Sequence, residues 1–269
     1  MMKCKKWMSL IAVFLLMAAA APWAPARAQT LQKVQEKGTL AVAVFASVKP
    51  ISFVDPQSGQ IVGFVPDLIG LYAKDLGVKI EFLNYDWAGL FPALLTGKVD
   101  VVAANVTTTI PRTATLGLAG FWLVTGGHAA VLAGSPYHTL EDLNKKGVVV
   151  GTGRGSAYVG LWERDFPNST VKQLATTADT VQALLTKRID AIIGDELTLL
   201  SGTSGHEKEI TILAEIYTPQ TYSFVTRPDD FQMQNSLNIF FQMIKLTGEY
   251  QALYKKWFGH DWQPQMVGY

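Results

Sequence analysis

The most informative chemical groups in the sequence are an arginine and a carboxylate, each of which follows a short apolar run. Arg112 ends the segment Thr-Thr-Thr-Ile-Pro-Arg, and Asp195 comes directly after Ile-Ile-Gly. A guanidinium pairs with a carboxylate through a planar fork of two hydrogen bonds, and a carboxylate at the end of a buried strand needs a partner. The alternatives are a surface arginine and a helix N-cap, since Glu-Leu-Thr-Leu follows Asp195. Together the two groups are complementary to the two ends of a zwitterion such as an amino acid.

A repeated segment lies next to both groups: Arg112 follows its first copy, and Asp195 ends its second copy. Residues 93–105 and 183–195 each begin with Ala-Leu-Leu-Thr, pass through a basic turn to Val-Asp or Ile-Asp, and continue into an apolar run. In this repeat Asn105 is equivalent to Asp195. The pattern predicts two similar helix–strand units, and so two α/β lobes that face one another.

Further candidates lie where other predicted strands end, because ligands bind outside the carboxyl ends of strands in open α/β sheets. Thr107 either donates its hydroxyl to a ligand or caps a local turn. Trp87 is either a wall for the ligand's side chain or a core residue. The glycine-rich residues 151–156 open a helix, whose free N–H groups suit an anion. Within them Arg154 is either the partner of a second acid group or a solvent-exposed side chain.

Composition narrows the class of protein. Of the 269 residues, 49% are hydrophobic and 17% charged, which favours a folded chain with a sizeable core. The net charge of +1 gives no electrostatic basis for nucleic-acid binding. The four histidines lack the spacing of metal ligands, and Cys4 is the only cysteine. We therefore expect no metal, no cofactor and no cysteine nucleophile.

The N-terminus has the pattern of a targeting segment. A basic stretch with three lysines precedes an apolar run from Leu10 to Ala21, and Ala-Arg-Ala then offers a small-x-small cleavage site. The apolar run is shorter than the roughly 20 residues of a membrane span. Residues 1–28 are predicted to be a cleaved signal peptide, with an uncleaved anchor as the alternative. The mature chain would then begin near Gln29 in the periplasm.

The remaining pattern predicts an α/β fold. Strand, helix, strand, helix, strand occurs once before and once after a long apolar segment at 121–132, a candidate crossing strand between the lobes. A second crossing is expected near 215–221, followed by one or two helices over 230–257. The predicted division is lobe 1 at 29–124, lobe 2 at 125–217, and completion of lobe 1 by the C-terminal helices at 218–269.

Several motifs together resemble one family, the periplasmic solute-binding proteins of polar amino-acid ABC transporters (bacterial extracellular solute-binding protein family 3). The motifs that carry the resemblance are Gly-Phe-Val-Pro-Asp-Leu from residue 63, Trp-Ala-Gly-Leu-Phe-Pro-Ala-Leu from 87, Gly-Lys-Val-Asp from 97, Thr-Thr-Thr-Ile-Pro-Arg from 107, Leu-Glu-Asp-Leu from 140, Ile-Asp-Ala-Ile-Ile-Gly-Asp from 189 and Tyr-Lys-Lys-Trp-Phe-Gly from 254. The resemblance covers nearly all of the mature chain. It implies a type II periplasmic binding fold, with two α/β lobes joined by two crossing segments around a ligand cleft.

The resemblance also implies roles for individual residues. Arg112 would hold an α-carboxylate, Asp195 an α-ammonium, and Trp87 would stack on the ligand's side chain. The segment Asn105, Val106 and Thr107 would give backbone and hydroxyl contacts. At the start of the helix in lobe 2, where the family has Gly-Thr-Thr or Gly-Thr-Ser, this chain has Gly153-Arg154-Gly155-Ser156, which departs from the pattern. Arg154, Gly155 and Ser156 complete the predicted site.

The function predicted from these features is that of a receptor without enzymatic activity. It would capture a small zwitterion, such as an amino acid or a related carboxylate, by lobe closure and deliver it to an ABC transporter permease. The family usually works as a monomer. One alternative is an enzyme on the same fold that resembles cyclohexadienyl dehydratases, which act on prephenate or arogenate. Another is a ligand sensor for a membrane receptor.

Overall fold

The computed structural model describes residues 30–262, so the predicted signal peptide at 1–28 lies outside the described residues. Helices and strands alternate along the chain, as the sequence predicts. The helices are α1 (Thr30–Lys37), α2 (Phe64–Asp75), α3 (Leu90–Leu95), α4 (Ile110–Thr113), α5 (Tyr158–Asp165), α6 (Thr177–Leu185), α7 (Glu196–Gly202), α8 (Phe231–Thr247) and α9 (Glu249–Phe258). The strands are β1 (Thr39–Val44), β2 (Ser47–Val48), β3 (Ser52–Val54), β4 (Ile61–Val62), β5 (Lys79–Asn84), β6 (Val101–Thr107), β7 (Gly117–Leu132), β8 (Val149–Gly153), β9 (Thr170–Leu174), β10 (Ala191–Asp195), β11 (Ile210–Ile212) and β12 (Pro219–Thr226).

One large mixed sheet runs through both halves of the molecule. Its strands follow the order β5-β1-β6-β12-β7-β10-β8-β9, and β11 also pairs with β7. We call the part with β1, β5, β6, β12 and the first half of β7 lobe 1. The part with β8 to β11 and the second half of β7 is lobe 2. The strands β2, β3 and β4 form a separate small sheet beside lobe 1.

The long strand β7 connects the two lobes. Its residues up to Gly126 pair with β12, whereas Gly127 to Val131 pair with β10. In lobe 1, β1 lies parallel between β5 and β6; in lobe 2, β8 lies parallel between β10 and β9. Parallel neighbours end at the same edge of a sheet, which brings the polar strand ends of each lobe together.

Apolar side chains cover both faces of the sheet in each lobe. The C-terminal helices α8 and α9 pack on lobe 1, where they join the core around Phe64, Trp122 and Phe224. Gly120 allows this packing, because a Cβ at that position would lie 1.9 Å from the ring of Phe241. A second large core, around Trp162, fills one face of lobe 2.

Most predicted elements are present, with shifted ends. The predicted crossing strand at 121–132 begins earlier, at Gly117, and a 3₁₀ turn (Trp87–Gly89) comes directly before α3. Strand β11 is short and ends at Ile212, where its pairing with β7 stops. Over 30–262, no helix combines the length and apolar character needed to cross a membrane.

Candidate functional site

A cavity of about 350 Å³ lies between the lobes, at the carboxyl ends of their strands. Five of the nine predicted site residues line it: Trp87, Asn105, Thr107, Ser156 and Asp195. The other four, which are Val106, Arg112, Arg154 and Gly155, are not part of its wall. Val106 packs in the lobe 1 core instead, because successive residues of β6 point to opposite faces of the sheet.

Asp195 is placed by the junction of β10 and α7. Its Oδ1 accepts a hydrogen bond from the backbone N–H of Thr198 at 2.9 Å, so it is the N-cap of α7, as the alternative interpretation expected. The same atom accepts a short hydrogen bond from the hydroxyl of Tyr222, on a strand of lobe 1. Burial raises the pKa of the Asp195 carboxyl, although these hydrogen bonds oppose the shift. The side chain therefore caps a helix and also lines the cavity.

Arg112 lies at the edge of the cavity, on the short helix α4. Thr109 caps this helix, and Pro111 in its first turn fits the helical backbone. The guanidinium donates to the carbonyl of Thr107 at 2.6 Å and, across the cleft, to the carbonyl of Gly155 at 3.2 Å. Both partners are neutral, and burial lowers the pKa of Arg112 to about 10. Among the residues that the structure describes, no carboxylate forms an ion pair with Arg112, so a ligand carboxylate would suit this guanidinium.

Aromatic rings stand beside the arginine. The Arg112 guanidinium carbon lies 6.0 Å from the centre of the Trp87 ring and 5.5 Å from that of Phe91. Trp87 in turn meets Phe45 edge to face, with ring centres 5.7 Å apart. Since Phe45 and Trp87 both line the cavity, lobe 1 offers an aromatic wall next to a cation.

Further hydrogen bonds join the lobes around the cavity. The side-chain amide of Asn105, in lobe 1, donates to the hydroxyl of Thr198, in lobe 2, at 3.0 Å. The Ser201 hydroxyl accepts from the backbone N–H of Lys49 at 3.1 Å and donates to the carbonyl of Ser47 at 3.3 Å. Together with the contact of Arg112 to Gly155, these bonds define a closed arrangement of the two lobes.

Three buried polar atoms of cavity-lining residues have no hydrogen-bond partner within residues 30–262. They are Nε1 of Trp87, Oδ1 of Asn105 and the hydroxyl of Tyr158. Tyr158 is 2% exposed, and Gly127 makes room for it, because a Cβ there would lie 2.6 Å from the tyrosine ring. Buried polar groups are nearly always satisfied, so these atoms are available to hydrogen-bond a ligand or an ordered water in the cavity.

The loop between β8 and α5 contributes less than predicted. Ser156 lines the cavity, and its hydroxyl accepts from the backbone N–H of Tyr158 at 3.2 Å. Gly155 supplies the carbonyl that Arg112 contacts. Arg154 is exposed, and its backbone N–H donates to the carbonyl of Leu174. Its position matches the solvent-exposed alternative.

Sequence reasoning missed several residues of the cavity wall. Tyr158, Thr198 and the loop before α6 with the first residues of that helix (175–178) line the cavity, and Tyr222 contacts Asp195 from behind it. The loop gave a signal, because β9 ends at Leu174 and the Thr-x-x-Asp capping box of α6 follows directly. No sequence pattern pointed to Tyr158 or Tyr222, because their positions depend on contacts between distant segments. Within the described residues, no group of three or more His, Cys, Asp or Glu side chains is placed to hold a metal ion.

Similarity to known proteins extends over most of the chain. The chain matches the bacterial extracellular solute-binding proteins, family 3, over residues 40–260. The L-cystine-binding protein TcyJ of Escherichia coli (strain K12) is 28% identical over 233 residues, which are 86% of each chain. An ancestral arginine-binding protein solved with glutamine is 32% identical, with a TM-score of 0.75, and the match covers 83% of this chain and 99% of that one.

A third similarity bears on the predicted enzymatic alternative. An ancestral amino acid-binding protein, described as a precursor of cyclohexadienyl dehydratase, is 30% identical with a TM-score of 0.74, and the match covers 86% of this chain and all of that one.

The fold and the cavity define a solute-binding protein of two lobes with the type II periplasmic binding fold. The chain belongs to the bacterial extracellular solute-binding proteins, family 3. Membership confirms the prediction of a binding protein that takes part in transport, and the dehydratase alternative is not favoured.

Proposed function

We propose that this protein binds an amino acid between its closed lobes and presents it to the permease of an ABC transporter. The observation that carries the proposal is the set of hydrogen-bond partners that Arg112 and Asp195 have in the cleft. Within residues 30–262, the Arg112 fork donates to neutral carbonyls, and the buried Asp195 accepts from hydroxyl and backbone N–H groups. In this part of the chain neither side chain forms an ion pair, and each end of a zwitterion would supply one of them with a partner of opposite charge.

The two ends of the ligand take defined places in this proposal. The α-carboxylate replaces the carbonyl of Gly155 as a hydrogen-bond acceptor of the Arg112 guanidinium, because a charge-assisted pair is stronger than a bond to a neutral carbonyl. The α-ammonium donates to Asp195 and to the unpartnered Oδ1 of Asn105. The Trp87 ring lies beside the bound amino acid. Thr107 and Ser156 offer hydroxyls, and Val106, Arg154 and Gly155 contribute through the backbone.

The ligand stabilises the closed arrangement in this account. Thr198 donates its backbone N–H to Asp195 and accepts from Asn105, so it links the strand ends of both lobes. A ligand that bridges Arg112 and Asp195 adds contacts that exist only when the lobes are closed. Such differential contact shifts an open–closed equilibrium toward the closed state, which the permease then reads.

The setting of the protein is part of the proposal. We place it in the periplasm as a monomer, after cleavage of residues 1–28, on the basis of the basic and apolar N-terminal pattern. The lobes are taken as 29–124, 125–217 and 218–269. The change of β7 partner between Gly126 and Gly127, and the start of β12 at Pro219, support these bounds.

Titration calorimetry of the purified protein against the common amino acids tests the function. At least one amino acid is expected to bind, and Arg112→Ala should weaken it by about 1.5–3 kcal/mol, because a hydrogen-bonded charge pair is lost. Arg188→Ala is the matched control, since Arg188 is exposed on a turn of lobe 2 away from the cavity. Binding of no amino acid, or full affinity in Arg112→Ala, would contradict the proposal.

A further inference from the structure

The cavity continues from the cleft into lobe 2, between α6, α7 and β10. Its wall there consists of buried side chains from these three elements: Thr180 and Val181 of α6, Ile192 of β10, Leu199 of α7 and Thr203 after it. We call this part the side-chain chamber. It lies beyond Asp195 as seen from lobe 1, since Ile192 precedes Asp195 on the same strand.

Glycines keep the chamber open. A Cβ at Gly153 would meet no other atom within 4 Å, and one at Gly194 would meet only Leu199, at 3.6 Å. Gly194 lies on the same face of β10 as Ile192, because side chains alternate along a strand. A Cβ at Gly194 would therefore enter the chamber without a clash, and one at Gly153 would enter the same cavity from β8 without a clash. The space is part of the cavity of about 350 Å³.

The threonines in the wall present little free hydrogen-bonding capacity. The Thr180 hydroxyl donates to the carbonyl of Thr176 at 2.9 Å, and the Thr203 hydroxyl donates to the carbonyl of Leu199 at 2.8 Å. Both hydrogens are used within the helices. With Val181, Ile192 and Leu199 beside them, the inner wall is mainly apolar.

Charge is also missing from the chamber. Among the lining residues in the part of the chain that the structure describes, the carboxylates are Asp86 and Asp195, and there is no lysine, arginine, histidine or glutamate. Asp195 is committed to the ligand's ammonium under the proposed function. Asp86 is exposed and lies in lobe 1, away from the chamber. An ionised group that entered the chamber would lose its hydration without gaining a partner of opposite charge.

We infer that the ligand is an amino acid with a large, uncharged and mainly apolar side chain, which fills this chamber. The inference rests on the proposed function and narrows it to one substrate class. A cationic side chain directed to Asp86 is the competing arrangement. It is disfavoured because a pair with an exposed carboxylate contributes little, whereas burial in the chamber removes apolar surface from water.

Competition titration with a panel of amino acids separates these arrangements. Leucine, isoleucine, methionine and phenylalanine represent the inferred class, against alanine, glutamine, glutamate, lysine and arginine. The best of the first four is expected to bind at least about tenfold more tightly than any of the others. Tightest binding of glutamine or of a charged amino acid would overturn the inference and leave the proposed function standing. Binding of no amino acid would overturn both.

Variants at the chamber glycines supply a second test. Gly194→Ala adds one methyl group to the chamber, and the affinity for the best large ligand relative to alanine should fall by about fivefold or more. Gly153→Ala should act in the same direction, and it carries the test if the strand variant fails to fold. Gly160→Ala is the control, because Gly160 is exposed on α5 of the same lobe and its Cβ would also meet nothing within 4 Å. An unchanged affinity ratio in the folded chamber variants would overturn the inference.

Discussion

The repeated segments at 93–105 and 183–195 fold alike and end differently. In both, an aspartate before the strand accepts from a backbone N–H of the neighbouring strand: Asp100 from Ala41 at 2.9 Å, and Asp190 from Val149 at 2.8 Å. In both, a threonine at the helix end donates to the carbonyl four residues earlier at 2.7 Å. The two copies of the repeat therefore join a helix to a buried strand through the same hydrogen bonds.

The difference between the copies lies at the strand ends. The first strand, β6, passes Asn105 and continues to Thr107, after which the chain reaches Arg112. The second strand, β10, stops at Asp195, which directly caps α7. One copy delivers a neutral amide followed by a cation, and the other delivers a buried carboxylate. The shared helix–strand unit forms part of each lobe. The two strand ends carry different groups, a cation in lobe 1 and a carboxylate in lobe 2, and this difference orients a zwitterion in the cleft.

Removing the charge of Asp195, in the second copy of the repeat, should have the largest effect on ligand affinity. Asp195→Asn keeps the side-chain shape but makes both strand ends neutral. Amino-acid affinity should fall by about 1.5–3 kcal/mol, or roughly 10- to 150-fold, because the ligand ammonium loses an ionised partner. The ligand-free variant should be at least as stable to heat at neutral pH, since burial already disfavours the charged form. Calorimetry and thermal unfolding measure the two effects, and unchanged affinity would remove the assigned role of Asp195.

The same carboxyl should make binding depend on pH. Burial raises the pKa of Asp195 above 3.8, so acid protonates it in the free protein earlier than in an exposed aspartate, whereas the ligand ammonium favours the ionised form. Affinity should therefore weaken as the pH falls toward the raised pKa of Asp195 in the ligand-free protein, and by up to about tenfold for each pH unit below that pKa. Asp195→Asn, titrated in the same buffers, should lose this slope. An equal slope in both proteins would assign the pH dependence to another group.

The turn of the repeat gives the smallest predicted effect. Gly97 and Lys187 occupy equivalent positions with φ values of 76° and 58°, in the left-handed region that a side chain disfavours. Lys187→Gly should raise the free energy of unfolding by about 0.5–1 kcal/mol and leave ligand affinity unchanged. Gly97→Ala should lower it by a similar amount, although its Cβ meets no atom within 4 Å. Urea unfolding compares the two, and a loss of stability in Lys187→Gly would show that the lysine side chain stabilises its turn.

Much of the frame could be predicted because its determinants are local. The pattern of apolar residues predicts the strand–helix order, and the internal repeat indicates two lobes. The run at 121–132 was recognised as a crossing strand, since it is too long for an ordinary strand within one lobe. Trp87, Asn105, Thr107, Ser156 and Asp195 were found because strand ends meet at one edge of a parallel sheet.

The rest depends on contacts that no local pattern encodes. Tyr222 reaches Asp195 from a strand 27 residues away in sequence, and Arg112 meets Gly155 across 43 residues. The sequence indicated an arginine near the cleft, but not that neutral carbonyls occupy its fork when the lobes close. The chamber in lobe 2 was not predicted. The cavity is open there partly because Gly153 and Gly194 have no side chains, and a missing side chain gives no periodic pattern in the sequence.

The central claim is that the two unequal strand ends bind the two ends of a zwitterion. Titration calorimetry with the tightest-binding amino acid, its α-amide and its N-acetyl derivative tests it directly. The amide removes the carboxylate for Arg112, and the N-acetyl derivative removes the ammonium for Asp195. Both derivatives are predicted to bind at least about 30-fold more weakly than the free amino acid, since each loses a charge-assisted contact in the cleft. Binding of either derivative within about threefold of the parent amino acid, less than one such contact is worth, would contradict the account.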